Sequence, residues 1–89
     1  MVFNNWNLLS NMEKLIPLPA KKMIKIILSL GFKLLRTKGS HNFFQNINTG
    51  KTTVIPLHNN EVLGSGILKE ILKDIGISVD EYEKLRRKK

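Results

Sequence analysis

The segment 36–44, RTKGSHNFF, constrains the fold of this 89-residue chain more than any other stretch. Its Gly39-Ser40 pair predicts a tight hairpin turn, because glycine readily adopts the positive φ that such a connection needs. Arg36 and Lys38 precede the turn, and His41 and two phenylalanines follow it. The segment therefore predicts a basic β-hairpin with an imidazole beside its turn.

The hairpin is expected to belong to an antiparallel meander of three strands. A turn signal and a segment rich in β-branched residues follow it, so the strands are predicted at 32–38, 42–47 and 52–57. Simple alternation along the first strand puts four residues on one side of the sheet: Phe32, Leu34, Arg36 and Lys38.

Helices are expected before and after this meander along the chain. Apolar residues at helical spacing predict helices over 20–30 and 65–75, each ending at a glycine. Ser78 to Glu81 form a capping-box sequence that opens a short third helix. One sheet with its helices on one face buries a single core, so the predicted class is α+β.

The chain is interpreted as one domain with two terminal segments. Pro17 and Pro19 prevent a helix from running through the N-terminal region. Residues 1–18 are therefore interpreted as a loosely ordered extension, 19–85 as the domain, and 86–89 as a basic tail that frays.

The distribution of charge points to a polyanionic partner. The net charge is +8, and between Lys14 and Asn60 there is no Asp or Glu. A surface with one sign of charge over half a domain favours nucleic acid through phosphate contacts. An acidic protein partner is the alternative that charge alone leaves open.

The composition excludes several classes of protein. The absence of cysteine rules out disulfides and thiol catalysis and fits a reducing compartment. No apolar run approaches the roughly 20 residues of a membrane span, and the N-terminus lacks signal-peptide features, so a cytoplasmic protein without membrane contact is expected. The nucleotide-binding glycine loops and the HExxH zinc motif are also missing.

The residues around the hairpin favour chemistry without a metal. A metal-dependent nuclease needs clustered carboxylates, and the segment around His41 has none, although Glu61 or the C-terminal acids could fold towards it. We therefore expect neither a metal nor another cofactor.

The two histidines are the candidates for acid–base chemistry on RNA. RNA supplies its own nucleophile, the 2′-hydroxyl, so an enzyme must supply a base, an acid and positive charge. His41 is the candidate base or acid, and His58 can take the other role if the third strand ends near the hairpin. A histidine after a turn is more often a surface or hydrogen-bonding residue, so a structural role stays open for both.

The candidate phosphate-binding groups surround the same turn. Arg36 and Lys38 supply charge, while Gly39 and Ser40 supply backbone N–H groups and a hydroxyl. Lys22, on the first predicted helix, joins them if that helix flanks the hairpin.

Several motifs, in their order and spacing, resemble the HicA toxin family over about 21–82. The matching residues are Leu30-Gly31-Phe32, Arg36, Lys38-Gly39-Ser40-His41, Phe44, Val54-Ile55-Pro56-Leu57-His58, Gly66-Ile67-Leu68, Ile71-Leu72 and Gly76-Ile77-Ser78. Gly-Ser-His alone is a weak signal, whereas the whole set is specific.

This resemblance implies a fold like a double-stranded-RNA-binding domain and the activity of an mRNA interferase. It also implies a HicB antitoxin partner that covers the active site, and a catalytic role for His41. His58 matches the family's Pro-x-His position, for which no role is carried over. The chain departs from the family pattern at Ile67, where threonine is usual, and in its residues before the first helix.

The leading hypothesis is therefore a metal-independent endoribonuclease toxin with His41 as catalyst. Two other classes stay open: a non-catalytic RNA-binding module of the same fold, and an interaction protein whose basic face docks an acidic partner. The first would keep its RNA affinity without His41, and the second would have none at moderate salt.

Overall fold

The computed structural model describes residues 15–59 and 61–88, which form three helices and five strands. The helices are α1 (Ala20–Ser29), α2 (Ser65–Ile75) and α3 (Val79–Lys88). The strands are β1 (Leu18–Pro19), β2 (Phe32–Lys38), β3 (His41–Asn46), β4 (Thr52–Pro56) and β5 (Val62–Leu63). The predicted α+β class is confirmed. None of these helices is long and apolar enough to cross a membrane.

Strands β2, β3 and β4 form the predicted antiparallel meander, with β3 in the middle. The register pairs Phe32 with Asn46, Phe44 with Thr53, and Asn42 with Ile55. We call the side of the sheet that carries these residues the inner face. Every buried residue of the three strands lies on it: Phe32, Phe44, Asn46, Thr53 and Ile55.

The helices supply the other half of the core. Both α1 and α2 are amphipathic, because their apolar residues recur every three or four positions. Their buried side chains are Ala20, Met23, Ile26 and Ile27 from α1, and Leu68, Ile71, Leu72 and Ile75 from α2. Each large aliphatic side chain buried here contributes about 1.5–3 kcal/mol to folding. The helices therefore hold the inner face fixed and leave the opposite face of the sheet available.

Among the described residues, two buried polar side chains join elements together. Asn46 donates from Nδ2 to the carbonyl oxygen of Leu30 at 3.2 Å, which ties β3 to the end of α1. Thr53 donates its hydroxyl to Oδ2 of Asp74 at 3.0 Å, which ties β4 to α2. The hydroxyl of Tyr82, on α3, has no hydrogen-bond partner among the described residues, and its burial raises the pKa of that tyrosine.

The short strand pair of β1, which precedes α1, and β5, which follows the meander, was not predicted. Leu18 and Pro19 pair with Leu63 and Val62, and Leu15 and Leu18 are buried in the core. Residues 1–14 of the predicted extension lie outside the described residues, whereas its last part packs as part of the domain. No helix forms across Pro17 and Pro19, as predicted, and the two-residue strand β1 tolerates Pro19.

The third helix is longer than predicted. The capping box forms as expected, since the N–H of Glu81 donates to Ser78 Oγ at 3.1 Å and the N–H of Ser78 donates to Glu81 Oε1 at 3.2 Å. The helix then continues through Lys88, three residues beyond Leu85. Arg86 donates from Nη2 to Glu83 Oε1 at 2.6 Å, and this hydrogen bond raises the pKa of the guanidinium. That ion pair, one turn apart on the helix, stabilises the basic end.

Candidate active site

The hairpin turn places His41 directly opposite Lys38. Gly39 and Ser40 form a two-residue connection, and Lys38 and His41 are cross-strand partners at its base. Gly39 has φ +60° while Ser40 has no positive φ, which is the pattern of a type II′ hairpin turn. Glycine is therefore needed here for its backbone, and the predicted turn is confirmed.

A β-bulge in β2 decides which side chains share a face with His41. Leu34 pairs with Phe44, but Arg36 pairs with Phe43, so Leu35 is an extra residue in β2. An extra residue reverses the alternation of every side chain after it. The prediction that Arg36 and Lys38 lie on the side of Phe32 is therefore wrong.

The bulge brings all three cations of β2 to one side of the sheet. Lys33 pairs with Gln45 before the bulge, and Arg36 and Lys38 follow it, so all three lie opposite the inner face. We call this side the outer face; it comprises Lys33, Arg36, Lys38, His41, Phe43, Gln45, Thr52, Val54 and Pro56. A regular strand would have separated Lys33 from the other two cations.

Arg36 is held over the ring of Phe43. Its guanidinium carbon lies 4.6 Å from the centroid of that ring, a cation–π geometry. The two residues are cross-strand partners, so the contact follows from the bulged register. The stacked guanidinium keeps its N–H groups free for an anion, because the interaction uses its face and not its donors.

The end of β4 lies beside the hairpin turn, which was the condition for a role of His58. His41 pairs with Pro56, and the N–H of Leu57 donates to the carbonyl oxygen of Ser40 at 2.8 Å. One residue further on, Nε2 of His58 lies 2.8 Å from Oγ of Ser40. The structure therefore joins His58 to the turn through Ser40.

Glu61 approaches the same imidazole and was not among the predicted site residues. Its Oε1 lies 3.9 Å from Nε2 of His58, and the N–H of Glu61 donates to the carbonyl oxygen of His58 at 2.8 Å. Asn59 has φ +48° inside this turn, a conformation that asparagine tolerates better than most residues. The i,i+3 spacing with asparagine between the two residues was the available sequence signal for the contact.

Lys22 lies in the first turn of α1. That turn adjoins the candidate site, because the N–H of Ala20 donates to the carbonyl oxygen of Glu61 at 3.2 Å. The side chain of Lys22 is half-buried and makes no hydrogen bond or ion pair within 15–59 and 61–88. Its predicted phosphate contact stays a prediction.

The outer face has the charge and the exposed groups to bind a phosphate chain. Among the described residues the ion pairs are His58–Glu61 and Glu83–Arg86, so the β2 cations have no carboxylate partner there. His41 is exposed, as are Arg36 and Lys38. Within the same residues, no three His, Asp or Glu side chains lie close enough to form a metal site.

Comparison with models of protein families gives a match. The model of a family described as HicA toxin of bacterial toxin-antitoxin covers residues 20–77, which span α1, the whole meander and α2. No curated protein matches the chain. Because the matched region is more than half of the chain and contains the hairpin with His41, the chain belongs to the HicA toxin family of bacterial toxin–antitoxin systems.

Proposed function

We propose that the chain is an endoribonuclease that cleaves mRNA without a metal ion, with His41 as its acid–base catalyst. The observation that carries this proposal is the position of His41, exposed at the base of the hairpin, directly opposite Lys38 and on the face that collects the cations of β2. An RNA phosphate held by these cations would lie beside an imidazole that is open to solvent.

The proposed reaction is transfer of the phosphorus from the 5′-oxygen to the 2′-oxygen of RNA. His41 takes the proton of the 2′-hydroxyl as that oxygen attacks phosphorus. The P–O2′ bond forms, the P–O5′ bond breaks, and the departing oxygen takes up a proton. The products are a 2′,3′-cyclic phosphate and a free 5′-hydroxyl.

The remaining groups of the turn act on the charge of the phosphate. Arg36 and Lys38 stabilise the negative charge that builds up on the non-bridging oxygens. Backbone N–H groups of Gly39 and Ser40 add neutral donors at the same place. Lys22 extends the phosphate contacts towards α1.

Two roles are chemically open to His58. It can donate the proton that the 5′-oxygen needs, or it can orient Ser40, with which it shares a hydrogen bond. If His58 donates the proton, a variant with no titratable group at this position loses cleavage activity. If His58 orients Ser40, a variant that keeps the hydrogen bond to Ser40 retains activity.

The proposed protein partner is a HicB-type antitoxin that inhibits the toxin by covering the outer face. This face carries cations that have no carboxylate partner among the described residues, and the exposed Leu35 lies in the bulge of its edge strand β2. A partner with acidic and apolar groups would satisfy both and exclude RNA from His41.

The test is RNA cleavage by the full chain in excess EDTA, comparing wild type with His41→Gln. Loss of the catalytic base is expected to lower the rate by about 10²- to 10⁴-fold. Lys73→Ala, which removes an exposed cation from α2, is the matched control and should cleave like wild type.

Three other outcomes contradict the proposal in different ways. Equal cleavage by wild type and His41→Gln would remove His41 from the mechanism. Cleavage that EDTA abolishes and Mg²⁺ restores would show that a metal is required. RNA binding without cleavage by either protein would instead support the RNA-binding module.

A further inference from the structure

Two oxygen atoms face the same nitrogen of His58. Ser40 Oγ lies 2.8 Å from Nε2, and Glu61 Oε1 lies 3.9 Å from it. A neutral imidazole carries its proton on one nitrogen only, so Nε2 is either a donor or an acceptor. The direction of the Ser40–His58 hydrogen bond therefore depends on which tautomer the surroundings favour.

The two directions leave different groups free for a ligand. If Nε2 accepts, the Ser40 hydroxyl proton is used by His58 and is not available to a phosphate. If Nε2 donates, Ser40 Oγ accepts that hydrogen and its own O–H can donate elsewhere. A phosphate oxygen accepts hydrogen bonds only, so only the second direction makes Ser40 a phosphate ligand.

The carboxylate of Glu61 discriminates between these directions. It attracts a hydrogen on Nε2 and repels a lone pair there, because the carboxylate is itself an acceptor. At 3.9 Å it is too far for a strong hydrogen bond with Nε2, so it biases the tautomer without displacing Ser40.

We propose that Glu61 fixes the direction of the Ser40–His58 hydrogen bond, so that His58 donates and the Ser40 hydroxyl is directed at a phosphate oxygen of bound RNA. The second half of this statement rests on the proposed ribonuclease function. Glu61 and His58 are thereby positioning residues, and the proton for the 5′-oxygen comes from solvent water.

Backbone hydrogen bonds hold both ends of this arrangement in place. The carbonyl oxygen of Ser40 accepts from the N–H of Leu57 at 2.8 Å. Glu61 donates its N–H to His58 and accepts from the N–H of Ala20, at 2.8 and 3.2 Å. The three side chains therefore start from fixed backbone positions, which is what a group that orients a ligand requires.

Nitrogen NMR of the free full-length chain tests the direction of the bond without any substrate. With ¹⁵N-labelled histidine, long-range ¹H–¹⁵N spectra at about pH 8.5, where an ordinary imidazole is neutral, show which ring nitrogen of His58 carries the proton. The expected result is protonated Nε2 in wild type and a clear shift towards protonated Nδ1 in Glu61→Gln, which lacks the negative charge that favours a hydrogen on Nε2.

The ring signals of His41 serve as the internal control and should stay unchanged in Glu61→Gln. Unprotonated Nε2 in wild type would overturn the proposal. The same tautomer in wild type and Glu61→Gln would overturn it as well. Backbone amide spectra of the two proteins establish that the variant is folded.

Cleavage kinetics test the link to phosphate. Ser40→Ala should lower kcat/KM by about 10- to 100-fold, the usual effect of losing a hydrogen bond to a charged group. Glu61→Gln should lower kcat by roughly threefold or more in wild type and have no effect in Ser40→Ala, because it acts through Ser40. If Glu61 merely repelled RNA, its removal would lower KM in both backgrounds, and the proposal would be wrong.

His58 provides the last discrimination. His58→Gln keeps an N–H donor for Ser40 but cannot transfer a proton, so it should cleave at least about tenfold faster than His58→Ala, which loses the donor. Equal loss in both variants would assign His58 to proton transfer and overturn its positioning role. If wild type cleaves no RNA, the proposed function fails, while the NMR result still decides the direction of the bond.

Discussion

The two faces of the three-stranded sheet differ in almost every physical property although the same strands form both. The inner face carries Phe44 and Ile55, which are 3% and 0% exposed and pack under α1 and α2. The outer face carries exposed cations and the imidazole of His41. Stability is therefore concentrated on one face and the candidate chemistry on the other, so substitutions on the two faces should separate cleanly into stability and activity effects.

The bulge at Leu35 is what keeps this separation intact. Phe32 and Leu34 occupy inner-face positions before it, and Arg36 and Lys38 occupy outer-face positions after it. Without the extra residue, two cations would lie on the side of the apolar core, where an unpaired charge is costly. The bulge thus allows one short strand to supply both the core and the phosphate-binding face.

Neighbouring phenylalanines on β3 give the largest expected effect and the most direct test of the comparison. Phe44→Ala empties a buried site and should lower the free energy of unfolding by about 3–5 kcal/mol. Phe43→Ala, one residue away on the outer face, should cost less than about 1 kcal/mol. Urea unfolding of both variants measures the difference.

RNA binding should rank the same two variants in the opposite order. Phe43→Ala removes the ring under Arg36 and should weaken binding by roughly tenfold, since an aromatic contact with RNA contributes about 1–3 kcal/mol. Folded Phe44→Ala should bind nearly as well as wild type. Similar stability losses in both variants would mean that the two faces are not energetically distinct.

Tyr82 sharpens the comparison because its side chain is buried in the core but carries a polar hydroxyl group. Its hydroxyl has no partner among the described residues, so Tyr82→Phe should raise the free energy of unfolding at pH 7 by about 1 kcal/mol. The raised pKa means that the unfolded chain loses the phenolic proton before the folded chain does. Stability therefore falls as pH rises above about 10 in wild type, and this part of the fall should disappear in Tyr82→Phe.

Thermal unfolding of the two proteins at pH 7 and at about pH 10.5 measures both effects. The lysines also titrate in this pH range, but both proteins have the same lysines. Their contributions therefore cancel when the two stabilities are compared. A lower stability of Tyr82→Phe at pH 7 would indicate that the hydroxyl has a hydrogen-bond partner.

Local sequence patterns predicted the elements but not the contacts between distant elements. Helical and alternating periodicity identified α1, α2 and the meander, and the Gly39-Ser40 turn identified the position of His41. The bulge carries no comparable mark, since Leu34-Leu35 contains neither glycine nor proline and is compatible with a regular strand. The prediction of which face carries the side chains after Leu34 was therefore wrong, because the bulge is set by how β2 pairs with β3.

The same limit explains the other two omissions. The pairing of β1 with β5 joins two-residue strands from distant parts of the chain, too short for any periodicity to appear. Glu61 reaches the candidate site because Ala20 and His58 both bond to its backbone, and that arrangement exists only in the folded chain. In both cases a long-range contact fixes what neighbouring residues leave undetermined.

Arg36→Lys gives the smallest expected effect and tests whether the outer face binds by charge alone. Lysine keeps the charge but loses the planar group that stacks on Phe43, so stability should change by no more than about 0.5–1 kcal/mol. RNA affinity should fall because the stacked geometry is lost, but only by about two- to fivefold because the positive charge is retained. The salt dependence of binding should stay the same, since its slope follows the number of phosphates neutralised. A lower slope for Arg36→Lys, measured by RNA titration between about 50 and 200 mM salt, would show that the stacked geometry itself is needed to neutralise a phosphate.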